Sequence, residues 1–583
     1  MATAVMMSTG CSDLFEPAIE NHKDASALEE LPSWAVGLLG HAYISNPLGS
    51  WSFNDVATDD AVSNDQDNSY RKMATGAWRA NNNPMSNWQY LRASWQYLNQ
   101  FIEVSENVNW AQDELVAQMF KDRFQGDAYG MRAFYMYHLL LCQGGWTDDN
   151  QLLGIPIVLQ AESLESEFNL PRNTFQECID QLNADVEKAI ELLPEDYGEV
   201  SSDSEVPAKY RAMGVTAGQY SRVFGDTGKN RMSARIAKAI RAQAALLAAS
   251  PAYSSGTTVT WEQAANYMAT VLKGLGNNPI SELDPTGNTW YTDGSAIQNF
   301  TAGYNPKEIL WRANKEESSS LEATHYPPTL FGSGRVNPTQ NLVDAFPMAN
   351  GYPITDANSG YDAQNPYANR DPRLALYIIY NGQPAGPQNT VINTAADGTD
   401  NNALNKTSTS TRTGYYMKKL LCQSVNANPN STTKAYHYKP FIRYTEIFLG
   451  YAEAANEAWG PTSGGSNGFS AYQVIKAIRE RAGICVGTDD PYLTQCAQSK
   501  DKMRELIHNE RRLELCFEGH RFWDLRRWKE SITEPAKGMS ITGTTYTVLP
   551  SVETRDYKDY MYYGPIPYTE TVKFSELKQN KGW

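Results

Sequence analysis

Long apolar runs are missing from this 583-residue sequence. No stretch approaches the roughly 20 apolar residues that a membrane-crossing helix requires, which excludes a helical integral membrane protein. Positive charge is in deficit, with 50 lysines and arginines against 66 aspartates and glutamates. The resulting charge of −16 argues against a nucleic-acid partner, because phosphate binding needs a cationic face. It argues equally against adhesion to anionic lipid through charge alone. Histidine and cysteine are scarce, at seven residues each. There is no His-Glu-x-x-His, no phosphate-cradling G-x-x-x-x-G-K and no dinucleotide fingerprint. Cysteine spacing fits no zinc pattern. Cys142, Cys178 and Cys516 fall in helical patterns and read as small buried hydrophobes. Cys485 and Cys496 flank a turn-rich segment and stay open as a pair. One G-x-S-x-G match, Gly464 to Gly468, follows a helix and lies in a turn, whereas a nucleophile elbow needs a strand before it. The chain is read as a non-enzyme.

Helical periodicity is abundant. Apolar residues recur at three- and four-residue steps over 26–45, 87–104, 111–143, 173–193, 231–250, 261–275, 442–458, 469–483 and 501–528. Pairs of such helices joined by short turns predict helix-hairpin stacking of the tetratricopeptide type. Between the two helical blocks, about 280–440 is rich in Asn, Thr, Gly, Pro and Tyr and reads as long loops with short strand-like runs such as 375–380. The last helical stretch, ELIHNERRLELCFEGHRFWDLRRW (505–528), sets Glu510, Glu514 and Glu518 one turn apart on one side. Like charges in register repel, so each needs an arginine partner, and Arg511, Arg512 and Arg521 are near enough in sequence. His508 and His520, on the same stretch, read as packing elements. The acidic loop Asp59, Asp60, Asp65 and Asp67 could hold calcium with its oxygens, but it lacks EF-hand spacing. A solvated polar loop is the plainer reading, and no cofactor is expected.

The block E-R-R-x-E-L-x-x-E-G-x-R-x-x-D-L-x-R-W resembles the hallmark of the SusD/RagB family, outer-membrane lipoproteins that capture nutrients, mostly glycans. In chain order the resemblance extends through LPRNTFQECIDQLNADVEKAIELLP (170–194), RMSARIAKAIRAQAALLAASPAY (231–253), NPKEILWRAN (305–314) and PTQNLVDAFPMANG (338–351). It continues through RDPRL (370–374), TGYYMKK (413–419), FIRYTEIFLGYAEAANEA (441–458), IKAIRERAG (475–483) and GPIPYTE…QNKGW (564–583). It implies a mostly α SusD-like fold, in which four helix hairpins form a scaffold carrying long irregular loops and a few short strands. One body is expected over 26–583, with scaffold at 26–280 and 440–530 and a loop-rich ligand-binding region, 281–439, inserted. The opening MATAVMMSTGC resembles the end of an export signal, with 1–25 as leader. The resemblance implies that Cys11 is the lipid anchor, that the protein lies on the cell surface at the outer membrane, and that its partner is a SusC-like TonB-dependent β-barrel transporter, over which it would sit as a lid.

Aromatics are plentiful, with 14 tryptophans and 34 tyrosines. The informative ones stand in polar loops, where burial is not the obvious reason for them. Trp78 is surrounded by Arg79, Asn81, Asn82 and Asn83, Trp290 and Tyr291 lie in DPTGNTWYTDG, and Trp51 follows NPLGS. A sugar ring packs its C–H face on an aromatic plate while amides and guanidiniums satisfy its hydroxyls. The expected ligand-binding residues are therefore Trp51, Trp78, Arg79, Asn81, Trp290 and Tyr291, and the expected ligand is a neutral oligosaccharide. A peptide-binding member of the same family and a surface glycoside hydrolase are the rival readings.

Overall fold

A computed structural model describes residues 29–44, 47–301 and 303–583. Cys11 and the whole expected leader, 1–25, lie outside them. The helices of eight or more residues are α1 (Pro32–Ile44), α2 (Trp88–Ser105), α3 (Glu114–Gln143), α4 (Phe175–Leu192), α5 (Ala217–Phe224), α6 (Ala234–Ala249), α7 (Trp261–Lys273), α8 (Tyr444–Trp459), α9 (Ala471–Arg481), α10 (Lys500–Glu514) and α11 (Arg521–Trp528). The α4 helix shows why such segments coil. Thr174 and Glu177 close a reciprocal capping box at its start, and Phe175, Cys178, Ile179, Leu182, Val186 and Ala189 give one buried stripe. In α6 almost every side chain is buried, because alanines let neighbours approach from both sides.

Packing follows the chain. Helix α1 lies on α2, α3 on α4, α6 on α7, and α8 on α9. Contacts of α2 with α3, α4 with α6 and α7 with α8 join these pairs into one helical layer. The chain between α7 and α8 leaves this layer and returns to it, and carries much of a second apolar core. The fold is mostly α with short strands, as the periodicity predicts. The seven ladders among the described residues are all two-stranded. In chain order, β1 is Ala61–Ser63, β2 Ile309–Arg312, β3 Val336–Pro338, β4 Pro440–Arg443, β5 Ala536–Thr542 and β6 Thr545–Glu553. Strand β1 pairs antiparallel with β3, β2 with β4, and β5 with β6.

Three expectations are corrected here. The predicted helix over 501–528 is broken: α10 stops at Glu514, and α11 starts at Arg521. Phe517 and Gly519 between them adopt positive φ of 64° and 85°, and the Phe517 N–H donates to Asp55 Oδ1 at 3.0 Å. Glu518 therefore leaves the helical row. The arginines that neutralise the three glutamates also come from elsewhere. Glu510 is held by Arg373 and Arg479 at 2.9 and 2.8 Å, and Glu514 by Arg373 and Arg481, each at 3.0 Å. Glu518 is held by Arg443 and Lys419, each at 2.7 Å. Arg511 pairs instead with Asp524 at 2.8 Å. Arg512 and Arg521 both reach Asp59 at 2.9 Å, so Asp59 and Asp60 are buried ion-pair partners rather than parts of a solvated loop, whereas Asp67 is exposed.

Candidate functional site

Of the rings nominated from sequence, Trp78 is the most deeply placed. It is 1% exposed. Its indole N–H donates to Asn83 Oδ1 at 2.9 Å, and Trp583 lies edge-on with centroids 4.8 Å apart. Phe522 and Tyr557 enclose it at 5.9 Å each. Its expected display as a loop platform is thus corrected: rings from the far end of the chain cover it. Arg79 and Asn81 are exposed, and Arg79 spends Nη1 on the carbonyls of Gly76 and Trp78, both at 2.8 Å.

Trp290 and Tyr291 are also buried, at 7% and 4% exposure, which corrects their expected display. Trp51 is half-buried and stacks on Trp290 at 6.4 Å with 24° between planes. Tyr438 approaches Trp290 from another side at 5.2 Å. The structure thus brings Trp51, Trp290 and Tyr291 together and leaves Trp78, Arg79 and Asn81 apart from them. The Trp290 indole N–H and the Tyr291 and Tyr438 hydroxyls, all buried, have no hydrogen-bond partner among the described residues. The hollow between these rings has about 10 Å³, room for one water. Burial raises the Tyr291 hydroxyl well above its ordinary pKa.

Trp51 rides on a strap, 47–53, that divides this ring cluster from a much larger cavity. Lys439, just before β4, ties the strap down: its Nζ donates to the carbonyls of Leu48 and Ser50 at 2.7 and 2.9 Å. Burial pushes that ammonium down to about 8, and no carboxylate pairs with it among the described residues. Behind the strap lies a cavity of about 220 Å³. Helix α3 contributes Tyr137 and His138, α6 Gln243, α8 Glu446, and α11 Trp523. Phe441 and Tyr70 complete its aromatic walls.

The polar groups of this cavity divide into committed and free. Arg527 binds Glu453 and Asp524, and Arg443 binds Glu518. Burial raises the Glu518 carboxyl, but Arg443 and Lys419 outweigh it and hold the group down to about 2. Asp524 is likewise raised by burial and overruled by Arg511 and Arg527, so it stays below the usual range. Burial, and then the Lys439 charge, pushes the His138 imidazole down to about 3, which leaves it neutral. Arg511 Nη1, Gln243 Oε1 and Asn54 Oδ1 are buried without hydrogen-bond partners among the described residues. Glu446 accepts from Gln243 Nε2 at 2.7 Å through one oxygen. Aromatic walls with unpaired donors and acceptors suit a polyhydroxylated ligand. The sequence reading missed these residues. Trp523 stands between the core-facing Phe522 and Leu525, and Gln243 and Glu446 are polar within buried helix faces. Those mismatches were the available signal. His508 has no part in the site: it stacks on Trp528 at 3.6 Å.

A family profile described as "SusD family" matches residues 292–583, and one described as "Starch-binding associating with outer membrane" matches 47–217. Among curated proteins, SusD-like protein P2 of Formosa agariphila is 31% identical over 154 residues, 26% of this chain and 27% of the relative. SusD-like protein P38 of the same organism is 33% identical over 94 residues, 16% and 17% of the two chains. The chain thus matches about a quarter or less of the length of these relatives. A solved SusD-like protein from Bacteroides fragilis superposes with a TM-score of 0.68 at 22% identity, covering 96% of this chain and 99% of its own. A SusD-like carbohydrate-binding protein from the same species gives 0.68 at 21% identity, over 95% and 100%.

Proposed function

The chain belongs to the SusD family, and on that premise we propose that it is a non-catalytic glycan-binding lipoprotein that captures a neutral oligosaccharide at the cell surface. It would pass the ligand to a SusC-like TonB-dependent barrel, held to the outer membrane through Cys11. The observation that carries the reading is the cavity behind the Trp51 strap, where rings alternate with hydrogen-bonding groups that the protein itself leaves unpaired. The printed descriptions "starch-binding" for one matching profile and "carbohydrate binding" for one structural relative point the same way. Electrostatics speak against hydrolysis. A glycosidase needs a carboxylic acid of raised pKa opposite a second carboxylate, whereas Glu518 and Asp524 in this cavity are both held low by arginines.

Affinity electrophoresis of the purified chain through a panel of neutral polysaccharides tests the proposal. Retardation by one polymer, lost in Trp51→Ala and Trp523→Ala, is the expected result. Release of reducing ends, or calorimetric binding to oligopeptides and to no glycan, would replace it with one of the rival readings.

A further inference from the structure

One wall of the cavity belongs to the helical core. Phe134, Cys142, Leu246 and Leu247 line it and are all buried in the helical core. Its size fixes how much can enter. A cavity of about 150 Å³ accommodates one benzene ring, and this one has about 220 Å³, enough for one six-membered ring with its hydroxyls and too little for two. The charge inside is balanced apart from two groups, the Lys439 ammonium and the Glu446 carboxylate, which have no ion pair among the described residues. Their sum is zero, so the cavity favours a neutral guest.

The free groups also have a definite polarity. Arg511 Nη1 can only donate, and Gln243 Oε1 and Asn54 Oδ1 can only accept. The Tyr137 hydroxyl and the Trp523 indole N–H make no hydrogen bond with described residues, and both side chains line the cavity. A hydroxyl both donates and accepts, so one ring bearing several hydroxyls satisfies both kinds of group at once. Any of them left unpaired beside a bound ring would carry the desolvation cost of an unsatisfied buried group.

Resting on the glycan-binding reading above, we infer that this cavity recognises the end of a neutral saccharide chain, taking a single terminal sugar ring against Trp523 with Glu446 and Gln243 reading its hydroxyls. The rest of the chain leaves past the strap beside Trp51. Specificity is then set by the terminal residue and its stereochemistry, and internal segments of a polymer do not enter.

Calorimetry and tryptophan fluorescence on the whole chain test this, using glucose, galactose, mannose, xylose and N-acetylglucosamine, linear oligosaccharides of each, and the same oligosaccharides O-methylated on the terminal rings. One monosaccharide should bind at a single site and compete with its own linear oligomers. Methylation of the terminal rings should weaken binding at least tenfold. Glu446→Gln and Trp523→Leu should lose tenfold or more in affinity for the monosaccharide, with circular dichroism reporting whether each variant keeps its helices. A Trp51→Ala variant should lose affinity for the oligomer and keep it for the monosaccharide, a split that a merely unfolded cavity would not give. If capped oligomers bind as tightly as free ones, end recognition is wrong and glycan binding stands. If no saccharide of any length binds, both readings fall.

Discussion

Arg512, on the charged helix near the C-terminus, donates from Nε to Asp60 Oδ1 at 2.7 Å, joining positions 452 residues apart in the chain. The same guanidinium reaches Asp59, which Arg521 also holds. Burial raises the Asp59 carboxyl, and the two arginines outweigh that and keep it below the usual range. Removing one member of a buried pair strands the other charge, at a cost of about 3–5 kcal/mol. Arg512→Leu is therefore expected to lower stability by that amount in urea titration. An unchanged midpoint would mean that the clasp contributes nothing.

Asp55 sits beside this clasp and behaves in the opposite sense. Burial, and then the neighbouring Asp60 charge, raises its carboxyl from 3.8 to about 7. The folded protein thus holds this proton more tightly than the unfolded chain does. The stability it contributes is complete below about pH 4 and is lost as pH rises to about 7, at roughly 1.4 kcal/mol for each pH unit crossed. Asp55→Asn keeps an acceptor for the Phe517 N–H and removes the titration. Relative to wild type, the variant should gain stability between pH 4 and 7, with the difference level above that. A difference independent of pH would refute the buried, protonated carboxyl.

How much of this was legible follows from where the causes lie. The α4 stripe was readable because its spacing and its Thr174–Glu177 cap are local. The break at Phe517 was not, because the acceptor that holds its N–H, Asp55, lies 462 residues upstream. Trp78 read as a displayed ring because its own segment is polar, whereas Tyr557 and Trp583, which cover it, arrive from the C-terminal tail. The candidate site is scattered in the same way. Its strap, its α3 and α6 wall and its Trp523 come from distant segments that share no local pattern.

Glu518 gives the acid limb. Arg443 and Lys419 hold its carboxyl at about 2, below the unperturbed 4.5. Its contribution is present above about pH 4.5 and is lost as pH falls towards 2. Glu518→Gln should destabilise the protein by about 3–5 kcal/mol at neutral pH, and the gap to wild type should close between pH 4.5 and 2. Thermal unfolding at pH 7 and pH 3 checks this, and a constant gap would contradict the ion pairing.

Lys439 both ties down the strap and lines the cavity, so its removal loosens the strap and also leaves the Glu446 charge uncompensated. Its ammonium makes two bonds to strap carbonyls, and hydrogen bonds from a charged donor are worth about 1.5–3 kcal/mol each. Part of that is offset by the cost of burying the charge, which the depressed pKa of about 8 reports. Lys439→Met keeps the aliphatic stem and removes the donors. Amides of 48–53 should then exchange hydrogen at least tenfold faster, while those of α3 and α6 stay unchanged, since local opening draws only on local contacts. Ligand affinity should fall with it, because the Trp51 ring loses its fixed position over Trp290. Unaltered exchange in 48–53 would show that stacking on Trp290 alone holds the strap, and that Lys439 serves the cavity only as a charge.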